Sequence, residues 1–192
     1  RNRASISSDV DEGNVAAIKH INIVGNEVFG DEELLDNFEL KTTGWFSFIR
    51  GDDIYSREKL TADLETLSSY YMDKGYLKFN IDSTQVSVSP DKQKVFITAN
   101  VQEGAKYTIA SIDLTGELVL EKEDLQRFIL VEEGQFFSQQ LVTSTEEYLT
   151  RRLGNEGDNF AEVTAIPEVR DGEDSIDLKF FVDPGKRTYV RR

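Results

Sequence analysis

Apolar residues fall on alternate positions in three separate stretches of this chain. They are Ala4, Ile6 and Val10; then Val95, Ile97, Ala99 and Val101; then Ile176, Leu178, Phe180 and Val182. Alternation with period two places the apolar side chains on one face of a half-buried strand. Each stretch ends in a glycine turn, at Gly13, Gly104 and Gly185. A new strand begins beyond each turn, at Ile18-Ile21-Ile23, at Ile109-Ile112-Leu114, and at Val190. The first two of these new strands run into Gly25-Asn26 and Gly116-Glu117. The pattern therefore repeats, in units of about 80 to 90 residues.

Between the strands the apolar period lengthens to that of a helix. Asp31 is placed to cap a short helix carrying Leu34, Leu35 and Phe38. A longer helix follows Ser56, with Leu60, Leu64, Leu67 and Tyr71 on one face and Gly75 as its stop. The second unit repeats the order with Leu125, Phe128 and Ile129, then Val142, Leu149 and Leu153 after Ser138. Two strands close each unit, at 77–89 and 93–102, and at 160–170 and 175–183. "PDKQ" and "RDGED" form the intervening turns. Strand, helix, helix, strand, strand, twice over, is an α+β arrangement. Its economical form is a small three-stranded mixed sheet with two helices on one face.

The boundaries expected from the repeat are 14–104 and 105–185 for the full units. Residues 1–13 read as the last strand of a preceding unit and 186–192 as the start of a following one, as in a piece of a longer chain. The first unit is longer between its helices, in "ELKTTGWFSFIRGDDIY". That insertion holds Trp45, the sole Trp, with Phe46, Phe48 and Ile49. These side chains either fold back over their own core or present a partner-facing loop. The first is the simpler expectation.

Composition narrows the chemistry. A formal net charge of −14 lacks the clustered Lys and Arg of a nucleic-acid binder. Cys is absent, which removes disulfides and thiolate metal sites. No apolar run approaches the roughly 20 residues of a membrane-spanning helix. His20 is the one histidine and stands in an alternating strand, so a nucleophilic triad or a histidine zinc site lacks its parts. The acidic groups Asp171, Glu173, Asp174 and Glu156, Asp158 fall in turns and lack calcium-loop spacing. No enzyme and no cofactor are expected.

The motifs "INIVGN" (21–26), "LETLSSYYMDKGYLKFNIDSTQVSVSPDK" (64–92) and "YVRR" (189–192) resemble the POTRA repeats of the outer-membrane protein assembly factors of Gram-negative bacteria. The first full unit looks like the third such domain of those proteins and the second, more loosely, like the fourth. The opening residues then look like the tail of the second. The family pattern has Gly-Tyr after the long helix, as at Gly75-Tyr76, whereas the second unit has Gly157-Asp158. The resemblance implies a β-α-α-β-β fold with the last strand central and the fourth element at the sheet edge. It also implies a periplasmic location, a membrane β-barrel following in the full-length protein, and nascent β-barrel polypeptides and accessory lipoproteins as partners. A BamB-type propeller lipoprotein is the partner implied for the first full unit.

A sheet edge presents unpaired N–H and C=O groups that can add a guest strand with little regard to its sequence. The candidate edge is the segment carrying Phe79, Ile81, Asp82, Thr84, Val86 and Val88. Its apolar phase slips between Ile81 and Val86, which predicts a β-bulge near Asp82 to Gln85. Such a bulge serves either to guard the edge or to shape a docking strand. The matching strand of the second unit holds Pro167, which fits an edge and disfavours long strand addition. Gly104, Lys106 and Tyr107 form the expected joint between the units. A passive spacer, with rigid units binding nothing, is the alternative reading.

Overall fold

The computed structural model of the chain describes residues 16–42, 54–118, 120–155, 161–183 and 185. The segments 1–13 and 186–192, read above as parts of neighbouring units, lie outside them. The first unit runs β1 (Ala17–Val24), α1 (Asp31–Asp36), α2 (Arg57–Asp73), β2 (Asn80–Val88) and β3 (Lys94–Gln102). The second runs β4 (Thr108–Gly116), α3 (Lys122–Gln126), α4 (Gln139–Asn155), β5 (Glu162–Val169) and β6 (Ser175–Asp183). Each sheet has three strands, ordered β1-β3-β2 and β4-β6-β5. The first and last strands of a unit pair in parallel, and the remaining strand pairs antiparallel with the last. This is the expected mixed sheet, its last strand in the centre.

The alternation explains why that strand is central. Val95, Ile97, Ala99 and Val101 of β3 are all buried, as are Ile176, Leu178, Phe180 and Val182 of β6. Each strand thus buries one whole face, and a fully buried aliphatic side chain contributes about 1.5–3 kcal/mol. The helices supply the matching stripes, Leu60, Leu67 and Tyr71 in one unit and Val142, Leu149 and Leu153 in the other. A glycine closes each first strand, Gly25 just after β1 at φ 98° and Gly116 at the end of β4 at φ 97°. A Cβ there would stand 2.2 Å from the carbonyl oxygen of Val101 or Val182, so the crossing to the central strand admits no side chain.

The helix ends follow ordinary capping with one difference. The Ser56 hydroxyl accepts the Lys59 N–H at 3.4 Å, and Gly75, at φ 103°, ends α2 as expected. Asp31, expected as a cap, is instead the first helical residue, with Gly30 in the cap position. Its carboxylate takes a hydrogen bond from the Asn26 amide at 2.7 Å, and Asn26 also donates to the Phe29 carbonyl. The Asn26 side chain therefore ties the turn after β1 to the helix start.

An aromatic cluster fills the end of the first core. Tyr71 stacks on Phe79 at 4.1 Å and meets Phe29 and Tyr76 edge-on. Its hydroxyl donates to Glu103 at 2.7 Å, and the same carboxylate accepts the Val28 N–H. Burial, and then the hydrogen bond to Glu103, push the Tyr71 phenol far above its ordinary value. The neighbouring Tyr70, bonded to Glu33, is pushed up to about 12. Both folded values lie above the unfolded one, so this contribution is complete below about pH 10 and is lost as pH rises beyond it. Tyr71→Phe should flatten the alkaline fall in melting temperature. Equal slopes in the two proteins above pH ~10 would contradict the assignment.

Candidate functional site

β2 is the edge of the first sheet, and its register contains the irregularity expected there. Ile81 faces Val101 and Ser83 faces Asn100, leaving Asp82 as the extra residue. The extra residue resolves the slip in phase. Ile81 and, beyond the bulge, Thr84, Val86 and Val88 all pair with buried residues of β3. The Asp82 carboxylate holds the bulge by accepting from Asn80 at 2.8 Å and from Gln102 at 2.7 Å.

Backbone parity decides which groups of this edge are free. Ser89 donates its N–H to the Lys94 carbonyl at 2.9 Å, across the hairpin. By alternation the N–H groups of Ser87, Gln85 and Ser83 point toward β3, and those of Val88, Val86 and Thr84 point outward. No acceptor among the described residues takes these three outward donors. The side chains of Val86 and Val88 lie on the helix side of the sheet, yet they are 38% and 54% exposed. At the start of the same strand, between it and α2, lies a groove of about 530 Å³ lined by Thr61, Leu64, Ser68 and Ile81. Open main-chain donors, an apolar strip and an adjoining groove thus come together along one edge.

The other candidate residues fall elsewhere. Phe79 precedes the strand, which begins at Asn80 rather than at 77, and it is buried against Tyr71. It serves the first core because the chain turns through 77–79 before entering the sheet. Trp45, Phe46 and Phe48 lie outside the described residues. His20 is exposed on β1, opposite Phe96 in register. Asp171, Glu173 and Asp174 sit exposed in the β5–β6 turn, while Glu156 and Asp158 are outside the described residues. Among the described residues no three acidic or histidine side chains converge as a metal site.

Gly104, Lys106 and Tyr107 occupy the joint, and they are tied to the end of α2. The Tyr107 N–H donates to the Gly75 carbonyl at 2.9 Å, and its ring is buried in the second core. Lys106 lays its chain against Gly75 and its Nζ 3.8 Å from the centroid of the Phe136 ring. Leu77 of the first unit packs against the second core. Asp73, at the end of α2, accepts the Gln140 N–H at 2.6 Å and so caps α4 across the joint. Sequence reasoning missed Asp73, since a helix-terminal acid gives no sign of a partner 67 positions away. Leu64, read with Leu60, Leu67 and Tyr71 as one apolar face, is half-buried and lines the groove.

Comparison with known proteins decides what kind of unit this is. The POTRA family, described as a surface antigen variable number repeat, matches residues 16–104 and again 107–185. The chain belongs to the POTRA family. Its two POTRA units resemble the crystal structure of Haemophilus influenzae BamA POTRA3-5, with a TM-score of 0.80 and 25% identity over 95% of this chain and 72% of that one. In sequence the chain is 30% identical over its whole length to the outer membrane protein assembly factor BamA of Buchnera aphidicola, covering 31% of that protein. It is 26% identical over 99% of its length to BamA of Neisseria meningitidis, covering 24%. The chain thus spans between a quarter and a third of these relatives. The matches bear out the resemblance to BamA POTRA domains and the expected place in the periplasmic part of a Gram-negative outer-membrane protein. POTRA units form a non-enzymatic scaffold family.

Proposed function

We propose that this POTRA pair, 14–104 and 105–185, acts in outer-membrane β-barrel assembly by docking extended substrate strands on the β2 edge and by recruiting an accessory lipoprotein to the first unit. The observation that carries the reading is the open β2 edge. Thr84, Val86 and Val88 offer unpaired outward donors beside exposed apolar side chains and a groove. A guest strand would complete its own hydrogen bonds there through main-chain atoms alone, which suits many unrelated β-barrel precursors. A BamB-type propeller lipoprotein, an assembly of strands with edges of its own, is the partner assigned to the same unit. The barrel of the full-length protein is the third partner in this scheme.

The tied joint at Gly75, Tyr107 and Asp73 favours the spacer as a second reading, since rigid units hold their neighbours at a set distance. An NMR titration with a barrel-strand peptide separates the two. Docking gives localised shifts along 80–88. Their absence at millimolar peptide leaves the spacer.

A further inference from the structure

The two units differ at one place where their equivalent residues can be set side by side. On the long helices the core residues Leu60, Asp63, Leu67 and Tyr71 answer to Val142, Thr145, Leu149 and Leu153, each 82 positions on. The same step carries Leu64 to Glu146 and Ser68 to Thr150. On the edge strands the pairing with the central strand carries Thr84 to Ala165 and Val86 to Pro167, each 81 positions on. Leu64, which lines the groove of the first unit, is therefore a carboxylate in the second, while a hydroxyl stands at the Ser68 position in both.

Those acceptors are in use. Glu146 Oε1 accepts the Ala165 N–H at 2.5 Å, and Thr150 Oγ1 accepts the Val163 N–H at 3.3 Å. The Arg170 N–H donates across the hairpin to the Ser175 carbonyl, so by parity the odd-numbered positions of β5 point their N–H groups outward. Of the outward positions 163, 165, 167 and 169, two are taken by the helix and Pro167 has no N–H, which leaves Val169, the counterpart of Val88 at the hairpin end, as a single outward donor. In the first unit Leu64 has no acceptor, and the Ser68 hydroxyl is turned back to the Leu64 carbonyl at 3.0 Å. The opposite edge of the second sheet is occupied as well. Ile109 bonds the loop at Gly134 and Gln135, and the Ile112 N–H goes to Glu133 at 3.3 Å.

We infer that Glu146 and Thr150 are built-in occupants of the second edge, standing where the carbonyl groups of a guest strand would stand, so that of the two matching edges β2 and β5 only β2 offers a run of open donors to a guest. Glu146, Thr150 and Pro167 are then specificity-determining residues, which confine a guest to the first unit. The consequence for guests rests on the docking function proposed above, whereas the covering of the edge does not.

Two measurements on the full 192-residue chain keep those apart. Amide hydrogen exchange, with no guest present, should show Ala165 and Val163 protected and Thr84 and Val86 fast. Glu146→Leu should speed Ala165 exchange at least tenfold, and Glu146→Gln, which keeps an acceptor, should leave it slow. The reciprocal Leu64→Glu should slow Thr84. Unchanged Ala165 exchange in Glu146→Leu, in a chain with wild-type melting temperature, overturns the inference. In the second measurement a barrel-strand peptide should shift only 80–88 in the wild type. It should also shift 162–169 in the triple variant Glu146→Leu, Thr150→Ala, Pro167→Val. Wild-type shifts of equal size on both edges would overturn the inference. Peptide that shifts neither edge in either protein refutes docking, and the exchange rates then still decide the cover.

Discussion

Gly116→Ala should unfold the second unit at a denaturant concentration where the first remains folded. Gly116 stands at φ 97°, and a Cβ would lie 2.2 Å from the Val182 carbonyl oxygen and 2.9 Å from its nitrogen. The left-handed backbone alone costs an alanine roughly 1–2 kcal/mol. The contact adds more, because the obstacle is the backbone of the buried central strand and cannot swing aside. Relief requires β4 to move off β6, which loosens Leu114 and Val182 in the core. A total loss of about 3 kcal/mol or more is expected, a large part of a domain's stability. Gly134→Ala is the control, since Gly134 has φ 86° but open space around the added carbon. It should cost only the backbone share, about 1–2 kcal/mol. Denaturation followed by signals from each unit measures both. Equal losses in the two variants would show that the close crossing is unimportant.

Val86→Pro should weaken strand docking at least tenfold while leaving the first unit folded. The Val86 N–H points outward, so proline removes no bond of the sheet, and the side chain it replaces is 38% exposed. The ring stands where a guest would lie and takes away the middle donor of the three. Ser87→Pro reverses the expectation. That N–H faces β3, so the variant loses a ladder bond and leaves its partner carbonyl unpaired, about 1–3 kcal/mol of stability. Calorimetric or NMR titration of a strand peptide reads the first effect, and chemical denaturation reads the second. Undiminished peptide affinity in a folded Val86→Pro chain would sink the docking function.

Period-two and period-3.6 patterns were enough to place the strands and helices of the described residues in order, because each element buries one face and the burial is written in its residue types. Even the bulge was visible, as the odd step between Ile81 and Val86. Strand limits were less legible. Phe79 keeps the alternation of β2, but it belongs to the turn before it and to the aromatic cluster around Tyr71. The candidate edge could be found, whereas its condition could not. Whether an outward N–H is free depends on a helix side chain 19 residues before it, as Glu146 is to Ala165. Glu146 and Leu64 both fit a helix surface, and only the separation of helix and strand gives their difference a meaning. The Asp73 cap on α4 was hidden for the same reason, since its acceptor and donor are in different units.

The Asp82 bulge also sets how long a guest stays. It interrupts the ladder, so the regular edge offers only the outward N–H and C=O groups of Thr84, Val86 and Val88. At about 0.5–1.5 kcal/mol net each, these six bonds give roughly 3–9 kcal/mol from the main chain, out of which the ordering of the guest must still be met. Each further outward residue on a longer edge would add two such bonds, about 1–3 kcal/mol, and slow departure roughly five- to a hundredfold. A short edge therefore lets a strand go to be handed on, and a longer one would hold it until it became a trap.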